Sequence, residues 1–288
     1  MDQCGPVIQG ALLRRRLAEL RKQRGLTQDD VAKALEWHTS KLIRIEGGRT
    51  GISKVDLDAL GRLYGVTDPA FMDELHRLNQ GARAKAWWSD FKNDTSNAYL
   101  AYVGFEAGAC VIRQFQPLAV PGLLQTQAYA ESLAHAEHDT DALDRLVRLR
   151  LMRQVKLRQR STPPREIFVL DEAVVHRHVG VRRNRTIMPT QLRHMVSVAE
   201  GSEHIDIRIV PFSAGSHVGM LRGAFTLLEL DSGLGELLHI ECGDHHETVT
   251  GEDSRISDVR ADFEAILEEA LSPDESLSFI TDVADGMR

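Results

Sequence analysis

Residues 25–48, which read GLTQDDVAKALEWHTSKLIRIEGG, decide how the amino-terminal part of this 288-residue chain folds. Thr27 is followed three residues later by Asp30, a weaker relative of the capping box that begins a helix. Apolar side chains then recur on one helical face: Val31, Ala32 and Leu35. The pattern predicts a short helix over residues 28–35.

A second short helix is predicted after a turn at residues 36–38. It starts at His38 or Thr39, and Leu42 and Ile45 lie one turn apart, where they pack against the first helix. Its exposed side carries hydroxyl groups, cations and one aliphatic chain: Thr39, Ser40, Lys41, Ile43 and Arg44. In a docked helix-turn-helix, the start of the second helix meets base edges in the major groove, and such side chains suit that task. The sequence therefore predicts a helix-turn-helix that binds double-stranded operator DNA.

The run at residues 26–48 resembles the Cro/CI-type, or XRE-type, helix-turn-helix family, in which LTQ opens the first helix and IEGG closes the second. The resemblance implies that Gln28 contacts a backbone phosphate and that Ala32 allows a close helix crossing. It also implies contacts to bases or adjacent phosphates from Thr39, Ser40, Lys41 and Arg44. We add Arg49, a cation just after the second helix, to these predicted DNA contacts.

Two positions depart from the family pattern. Glu36 occupies a turn position where glycine is usual, and His38 stands where a small polar residue usually precedes the recognition helix. The turn position often takes a positive φ angle, which strains a residue that has a Cβ atom. We therefore expect strained backbone at Glu36.

Three more helices complete a predicted all-α unit of five helices. Leucines at helical spacing predict the first helix over residues 10–23. Ser53 followed by Asp56 predicts the start of the fourth helix, and Asp68 followed by Pro69 predicts the start of the fifth. The predicted helix-turn-helix therefore lies inside a small helical domain.

We expect a DNA-binding domain over residues 8–80 and a second domain over residues 81–288. Near this junction, Trp87 and Trp88 either pack against the neighbouring domain or close the second core. Residues 10–67 contain 12 Lys or Arg against 7 Asp or Glu, a net charge of +5, whereas the remainder has 23 against 35, or −12. A basic head on an acidic body suits phosphate binding by the head alone.

The composition is that of a folded cytoplasmic protein. With 42% hydrophobic residues the chain can build sizeable cores, while its apolar runs are too short for a membrane span. The amino-terminus lacks the charged and apolar regions of a signal peptide. Three scattered cysteines exclude a disulfide framework, and we expect Cys110 and Cys242 to be buried, reduced thiols. We expect the protein in the cytoplasm, associated with the nucleoid when it binds DNA.

The carboxyl-terminal part mixes strand and helix patterns. Isoleucines that alternate with polar residues over 205–209 predict a strand with one buried face. Further strands are predicted at residues 110–115, 166–170, 225–230 and 236–241. Helices are predicted at residues 98–107, 124–134, 139–160, 171–179, 189–200, 253–271 and 274–284. We therefore predict an α+β domain with a small, mostly antiparallel sheet and several helices.

Several blocks of this part resemble the uncharacterised carboxyl-terminal domain of WhiJ-like regulators, which are common in actinobacteria. They include FVLDEAVVHRHVG at 168–180, IRIVPFSAGSHVGMLRGAFTLLEL at 207–230 and EEALSPDESLSFI at 268–280, and the resemblance spans residues 99–280. It implies a transcriptional regulator whose second domain receives a signal from a small molecule, or from a small partner protein encoded nearby. An adjacent short acidic reading frame would favour the protein partner.

Loops at strand ends supply candidate signal-binding side chains, because binding groups concentrate on loops held by a rigid sheet. The candidate ligand-binding residues are Gln125, Asp171, Phe212 and His217. Ordinary turn chemistry is the alternative explanation for the glycine- and proline-rich loops that carry them.

We expect neither catalysis nor metal binding. A hydrolase would draw its nucleophile, base and orienting carboxylate from these pairs: Ser216 or Cys242, His217 or His245, and Asp171 or Asp244. No nucleophile elbow, P-loop or dinucleotide-binding motif supports that assembly. Residues 241–247 hold six metal-capable side chains, and His176 with His178 adds a pair, but neither group has the spacing of a zinc site. We expect a polar loop at 241–247, no metal and no cofactor.

The predicted helix over residues 139–160 is rich in cations: Arg145, Arg148, Arg150, Arg153, Lys156, Arg158 and Arg160. They form either a solvated helical face or a second contact, for DNA or for an acidic partner protein. Joint neutralisation of Arg153, Lys156 and Arg158 is the test that the sequence suggests.

A homodimer is expected, because one recognition helix covers few base pairs and two-fold pairing spans half-sites about 34 Å apart. Three functions stay open at this point. The first is a regulator with a small-molecule receiver domain. The second is an antitoxin-like DNA-binding protein that docks a small acidic partner protein, and the third is an enzyme with an accessory DNA-binding head.

Overall fold

The computed structural model describes residues 5–134, 140–231, 233–242, 245–251 and 253–287. The chain up to Trp87 and most of the chain from Trp88 onward form two compact units, which are described separately. Trp88 is buried and Trp87 is half-buried. No helix within the described ranges is both long and apolar enough to span a membrane.

Residues 5–87 form the five helices that the sequence predicts. They are α1 (Pro6–Gln23), α2 (Gln28–Ala34), α3 (Thr39–Glu46), α4 (Lys54–Leu63) and α5 (Pro69–Gly81). Thr27 and Asp30 form a complete capping box at α2. The Ser53 side chain accepts a hydrogen bond from the backbone N–H of Asp56 at α4, and Asp68 caps α5. The helix starts are therefore set locally, by side chains that satisfy otherwise unpaired N–H groups.

Apolar side chains from all five helices and from the segments between them build the core of this first unit. Its buried members are Leu13, Leu17, Val31, Leu42, Ile45, Ile52, Leu57, Leu60, Tyr64 and Leu75. Leu42 and Ile45, one turn apart in α3, are 0% and 3% exposed. Complete burial of such a side chain contributes about 1.5–3 kcal/mol, so these two residues anchor α3 by its apolar side. The opposite side of α3 faces outward.

A left-handed residue ends α2. Glu36 has a φ angle of 54°, which makes it the single non-glycine residue with positive φ in the described part of the chain. The N–H of Trp37 bonds the carbonyl of Ala32 at 2.8 Å, and the N–H of Glu36 bonds that of Lys33, which is the Schellman pattern of a helix end. The expected strain at Glu36 is therefore confirmed, because this position favours glycine.

The second unit alternates helices and strands. In chain order they are α6 (Asn97–Glu106), β1 (Val111–Gln116), α7 (Gln127–Ala134), α8 (Thr140–Arg158), β2 (Arg165–Asp171), α9 (Glu172–His176), α10 (Ile187–Glu200), β3 (Ile205–Val210), α11 (Gly219–Arg222), β4 (Phe225–Leu230), β5 (Gly235–Cys242), β6 (His245–Val249), α12 (Ser254–Glu268) and α13 (Pro273–Gly286). Short 3-10 turns occur at Trp87–Phe91, Gly122–Leu124 and Phe212–Ala214.

The six described strands form one mixed sheet in the order β3-β2-β1-β4-β5-β6. β1 and β3 pair with β2 in parallel, whereas β1 with β4, β4 with β5, and β5 with β6 are antiparallel. The parallel pairs arise because helices cross between their strands, while short connections keep the later strands antiparallel. The expected α+β fold with a mostly antiparallel sheet is confirmed.

One face of the sheet is covered by α12. Ile256, Val259, Phe263 and Ile266 recur at helical spacing along that helix and are at most 5% exposed. They pack in one hydrophobic cluster with side chains from the strands: Phe115, Ile167, Val169, Val210, Phe225, Leu227, Leu238 and Val249. This apolar layer holds the parallel and antiparallel halves of the sheet together.

Three details of the sequence prediction are corrected. Residues 245–249 form β6 rather than a loop, because their backbone pairs with β5 at the edge of the sheet, where polar side chains are tolerated. The helix predicted from residue 124 begins at Gln127, after the 3-10 turn. Cys110 is half-buried rather than buried, and its desolvation raises the pKa of the thiol to about 11. The side chain of Cys242 lies outside the described residues.

Candidate DNA-binding surface

The outward side of α3 combines a hydroxyl group, an aliphatic side chain and a cation. Ser40, Ile43 and Arg44 lie at i, i+3 and i+4, a spacing that places them on one helical face. All three are exposed, and so is Arg49 just beyond the helix. In the part of the chain that the structure describes, the side chains of Ser40, Arg44 and Arg49 make no hydrogen bond or ion pair. They are free to contact another molecule.

Two other predicted DNA contacts are held within the first unit. The Thr39 hydroxyl donates to Asp29 Oδ1 at 2.7 Å, which ties the start of α3 to α2. Lys41 Nζ lies 2.8 Å from Asp56 Oδ1 and 3.7 Å from the ring centre of Trp37. Burial raises the pKa of Asp56, but hydrogen bonds from Lys41 and Ser53 outweigh it and lower that pKa below its ordinary value. Thr39 and Lys41 therefore position α3.

A polar junction joins the first three helices. Arg21 on α1 donates to both carboxylate oxygens of Glu46 at the end of α3, at 2.8 and 3.0 Å. Gln28 Nε2 on α2 donates to the same carboxylate at 2.7 Å. The hydrogen bond that Arg21 donates to Glu46 raises the pKa of Arg21, even though burial opposes the shift. Because an amide nitrogen carries two protons, Gln28 keeps one donor for a phosphate.

Sequence reasoning missed this junction, since Arg21 and Glu46 are 25 residues apart. The predicted contacts of Gln28, Thr39, Ser40, Lys41, Arg44 and Arg49 with DNA stay predictions. Their placement divides them into three exposed side chains and three that also bind within the first unit. An unpaired cation at a helix surface is the residue type that reads or neutralises nucleic acid most readily.

In the second unit, three of the four candidate ligand-binding residues lie at one edge of the sheet. Asp171 ends β2, and the segment that carries Phe212 and His217 follows β3. Because β2 and β3 are parallel, their carboxyl ends meet. His217 Nε2 lies 3.5 Å from Asp171 Oδ2, and the Phe212 ring stacks on His176 with 6.2 Å between ring centres. Such an edge is where ligands bind in many open α/β sheets.

The side chains at this edge differ in accessibility. Asp171 caps α9 by accepting a hydrogen bond from the N–H of Ala173 at 2.8 Å, which is ordinary turn chemistry. The His217 side chain is 4% exposed and packs edge-on against Phe115, with its Nδ1 buried and without a partner among the described residues. Phe212, by contrast, is 60% exposed. Phe212 is thus the most accessible of these candidates.

The Gln125 side chain forms hydrogen bonds that stabilise the loop in which it lies. It is 4% exposed, and its Nε2 donates to the carbonyl of Val120 at 2.8 Å. Its Oε1 accepts a hydrogen bond from Arg150 at 3.3 Å. These contacts close the loop that follows β1, so the amide is occupied from both ends. Its predicted role in ligand binding stays a prediction.

The cations of residues 145–160, in α8 and just beyond it, mostly have partners within the second unit. Five of them do so: Arg145 to Asp94, Arg150 to Gln125, Arg153 to Glu106, Arg158 to the carbonyl of Leu123, and Arg160 to that of Ala109. Arg148 and Lys156 are exposed and have no partner in the described residues. They border a groove of about 630 Å³ between α7 and α8. Arg145 and Arg158 are exposed as well, so a solvated face describes four of the seven cations, whereas Arg153 is buried.

A buried polar cluster lies between α6, α8 and β5. Glu106 is fully buried and receives hydrogen bonds from Arg153 Nε and the Tyr102 hydroxyl, each at 2.8 Å. Burial disfavours a charge on Arg153, yet Glu106 raises the pKa of its guanidinium above the ordinary value. The His239 ring stacks on Tyr102 at 3.9 Å, and burial lowers the pKa of His239 to about 3. These residues lie far apart in the sequence and meet only in the folded chain, so no local sequence pattern predicted the cluster.

The chain matches two protein-family descriptions. Residues 12–75 match a helix-turn-helix domain, which contains both α2 and α3, and residues 99–282 match a domain of unknown function (DUF5753). No curated protein and no solved structure matches the chain significantly. Since the second match covers most of the chain, this protein belongs to the DUF5753 family and carries a helix-turn-helix domain at its amino-terminal side.

Proposed function

We propose that this protein is a sequence-specific transcriptional regulator of the XRE type, which places α3 in the major groove of double-stranded DNA. The observation that carries the proposal is the division of α3 into two sides. Leu42 and Ile45 anchor the helix, whereas Ser40, Ile43 and Arg44 face outward. The helix-turn-helix match and the basic character of the head support it.

Selection of bound duplexes from a random-sequence library tests this proposal. We expect one short motif to be enriched, and its affinity to fall steeply as salt rises, because bound cations release counterions from phosphates. Arg44→Ala should flatten the sequence preference, while Gln28→Ala and Arg49→Ala should weaken binding to all sequences alike. Lys92→Ala, an exposed cation of the second unit, is the matched control. Absence of any DNA binding in dilute buffer would contradict the proposal.

We infer that the protein acts as a homodimer in the cytoplasm. One α3 helix reaches only a few base pairs, and a second copy on the same face of the duplex would supply the missing affinity and length of site. Light scattering of the protein with and without an enriched duplex measures this stoichiometry. One protomer bound per full operator would contradict the inference.

We further propose that the second domain is of the WhiJ-like type and receives a small-molecule signal. The edge with Asp171, Phe212 and His217 supports this proposal, because the exposed Phe212 ring and the contact between His217 and Asp171 both lie there, at the ends of parallel strands. The effector must bind one arrangement of the dimer more tightly than another, since only differential affinity shifts DNA binding. In a thermal-shift screen of small molecules, a compound that raises the melting temperature of the parent protein should not raise that of Phe212→Ala. It should still raise that of Val155→Ala.

A partner protein is the alternative signal, in the manner of an antitoxin-like pair. The groove between α7 and α8 offers a surface for such a partner, because Leu151, Met152 and Val155 line it. Two cations, Arg148 and Lys156, lie at the groove together with the carboxylates of Glu131 and Asp144. A small protein with apolar and complementary charged groups fits that combination. If an adjacent acidic reading frame exists, its product should co-elute with the protein and with Phe212→Ala, but not with Lys156→Glu.

We also propose that the protein is not an enzyme and needs no metal or cofactor. The sequence lacks nucleophile and cofactor motifs, and the Asp171–His217 pair supplies at most two parts of a catalytic triad. Ser216 is exposed, while Asp244 and the side chains of Cys242 and His245 lie outside the described residues. Turnover of an activated ester that His217→Ala abolishes would overturn this proposal.

A further inference from the structure

We propose that Ile43 is a specificity-determining residue that reads the 5-methyl group of a thymine in each operator half-site. The inference rests on the proposed DNA-binding function and adds the base that the recognition helix selects. It also assigns the discrimination between thymine and other bases to a hydrophobic contact, whereas the DNA contacts predicted from the sequence are all polar.

The exposure of Ile43 is the first argument. The side chain is 46% exposed on the outward face of α3. It shares that face with Ser40 and Arg44, which are exposed as well. A β-branched residue at this position lowers helix propensity, and contact with water returns no packing energy. Contact with a hydrophobic partner outside the chain would bury the Ile43 side chain and contribute to binding.

The major groove offers one hydrophobic partner. Each base pair shows a distinct pattern of donors and acceptors there, and among the four bases only thymine adds a methyl group. Aliphatic side chains recognise that group by direct contact, which excludes water from both surfaces. The face of α3 that carries Ile43 is the face that the proposed function turns toward the bases.

The position of Arg44 extends the inference to a neighbouring base pair. Successive helical residues rise by only about 1.5 Å along the axis, less than one base-pair step. The exposed Arg44 guanidinium can form two hydrogen bonds to O6 and N7 of a guanine. We therefore expect a half-site in which the thymine lies within about two base pairs of a G·C pair.

A methyl-deletion cycle tests the proposal. After library selection, each thymine of the enriched half-site is replaced in turn by deoxyuridine, which removes the methyl group and keeps the base pair. At one position the parent protein should lose about four-fold in affinity, the effect of one buried methyl group. Ile43→Ala should bind the thymine and deoxyuridine duplexes equally well at that position. Ile43→Val should retain part of the preference.

Val55 provides the matched control. It is an exposed aliphatic residue of the same unit, 74% accessible, but it lies on α4 rather than on the outward face of α3. Val55→Ala should keep the full preference for thymine. Alanine is a strong helix former, so neither variant should unfold the head, and circular dichroism checks this.

The outcomes separate the two levels of inference. An enriched motif without any methyl preference, or a preference that Ile43→Ala preserves at every thymine, would overturn the role of Ile43 and leave DNA binding intact. Failure to enrich any motif would instead overturn the proposed function. A preference lost in Ile43→Ala and kept in Val55→Ala would support the proposal.

Discussion

Some polar side chains of α3 bind within the first unit, whereas others face outward. Thr39 and Lys41 bind carboxylates of their own unit, whereas Ser40 and Arg44 face outward from the same helix. Variants of the first pair should therefore change helix packing as well as DNA binding. Variants of the second pair should change DNA binding alone, which makes Arg44 the cleaner position for a functional test.

The turn residue Glu36 should limit the stability of the first unit. Glu36→Gly should stabilise α2 and α3 by about 0.5–1 kcal/mol, because glycine takes a positive φ without a clash. Glu36→Ala is the control, since it removes the charge but keeps the Cβ atom. Hydrogen exchange of the amides in α2 and α3 measures the difference. Equal protection in the alanine and glycine variants would contradict the strain argument.

Glu166 should make the second unit less stable as pH rises. Burial, together with the nearby Glu106, raises the pKa of this β2 carboxyl to about 7 from an ordinary 4.5. Between these pH values the folded state holds a proton that the unfolded chain releases, so stability falls with rising pH and stays reduced above pH 7. Glu166→Gln removes the penalty and should stabilise the protein at pH 8 by up to roughly 3 kcal/mol.

The same variant should uncover the opposite effect of His239. The folded pKa of this histidine is about 3, below its ordinary 6.5, so the unfolded chain gains protons first and stability is lost as pH falls through that window. In the parent protein the two groups oppose each other between about pH 4.5 and 6.5. Urea unfolding of Glu166→Gln should show a steeper acid loss than the parent; parallel pH profiles would refute the assignment.

The cation-rich sequence of helix α8 does not show which of its cations have partners within the fold. Seven cations within residues 139–160 suggest a charged surface, yet Arg153 is 6% exposed and five of the cations contact partners in their own unit. The periodicity predicted the helix correctly. It could not indicate which cations meet loops and carboxylates, because those partners lie far away in the chain. Neutralising Arg153 together with Lys156 and Arg158 would therefore disturb the fold as well as change the surface, so a surface role is tested without Arg153.

Removing Arg153 should destabilise the second unit strongly. Arg153→Met leaves the buried Glu106 carboxylate without its cation, and an unpaired buried charge costs about 3–5 kcal/mol. Combining it with Glu106→Gln should recover part of that loss, because a neutral amide still accepts the Tyr102 hydrogen bond. Lys156→Met, an exposed position on the same helix, should stay within about 0.5 kcal/mol of the parent. Equal losses in Arg153→Met and Lys156→Met, measured by urea unfolding, would contradict this account.

At the scale of the whole molecule, the proposed dimer sets a geometric requirement on DNA. Two copies of α3 should meet half-sites one helical turn apart, about 34 Å or 10 base pairs. Inserting five base pairs between the half-sites turns one to the opposite face of the duplex and should abolish cooperative binding. Inserting ten should restore much of it. A gel-shift titration distinguishes these operators, and indifference to the spacer would argue against a rigid dimer.

Local information in the chain accounts for most of the first unit. Thr27, Ser53 and Asp68 specify helix starts by bonding their own backbone, and Leu42 with Ile45 divides α3 into a buried and an exposed side. Helical spacing and caps act over a few residues, so they can be read directly. Five strands of the second unit could be predicted in the same way, from short apolar runs or from apolar residues that alternate with polar ones.

Long-range pairing decided the rest. β6 has a polar sequence and is a strand because its backbone bonds to β5, and the parallel order of β1, β2 and β3 brings Asp171 to His217. The burial of Glu106 with Arg153 likewise depends on where α6 and α8 meet. Hydrogen bonds and burial between distant segments follow from the packed arrangement, which no local pattern encodes. For this reason the helix-turn-helix could be recognised from residues alone, whereas the contacts and burial of the candidate residues in the second domain needed the tertiary structure.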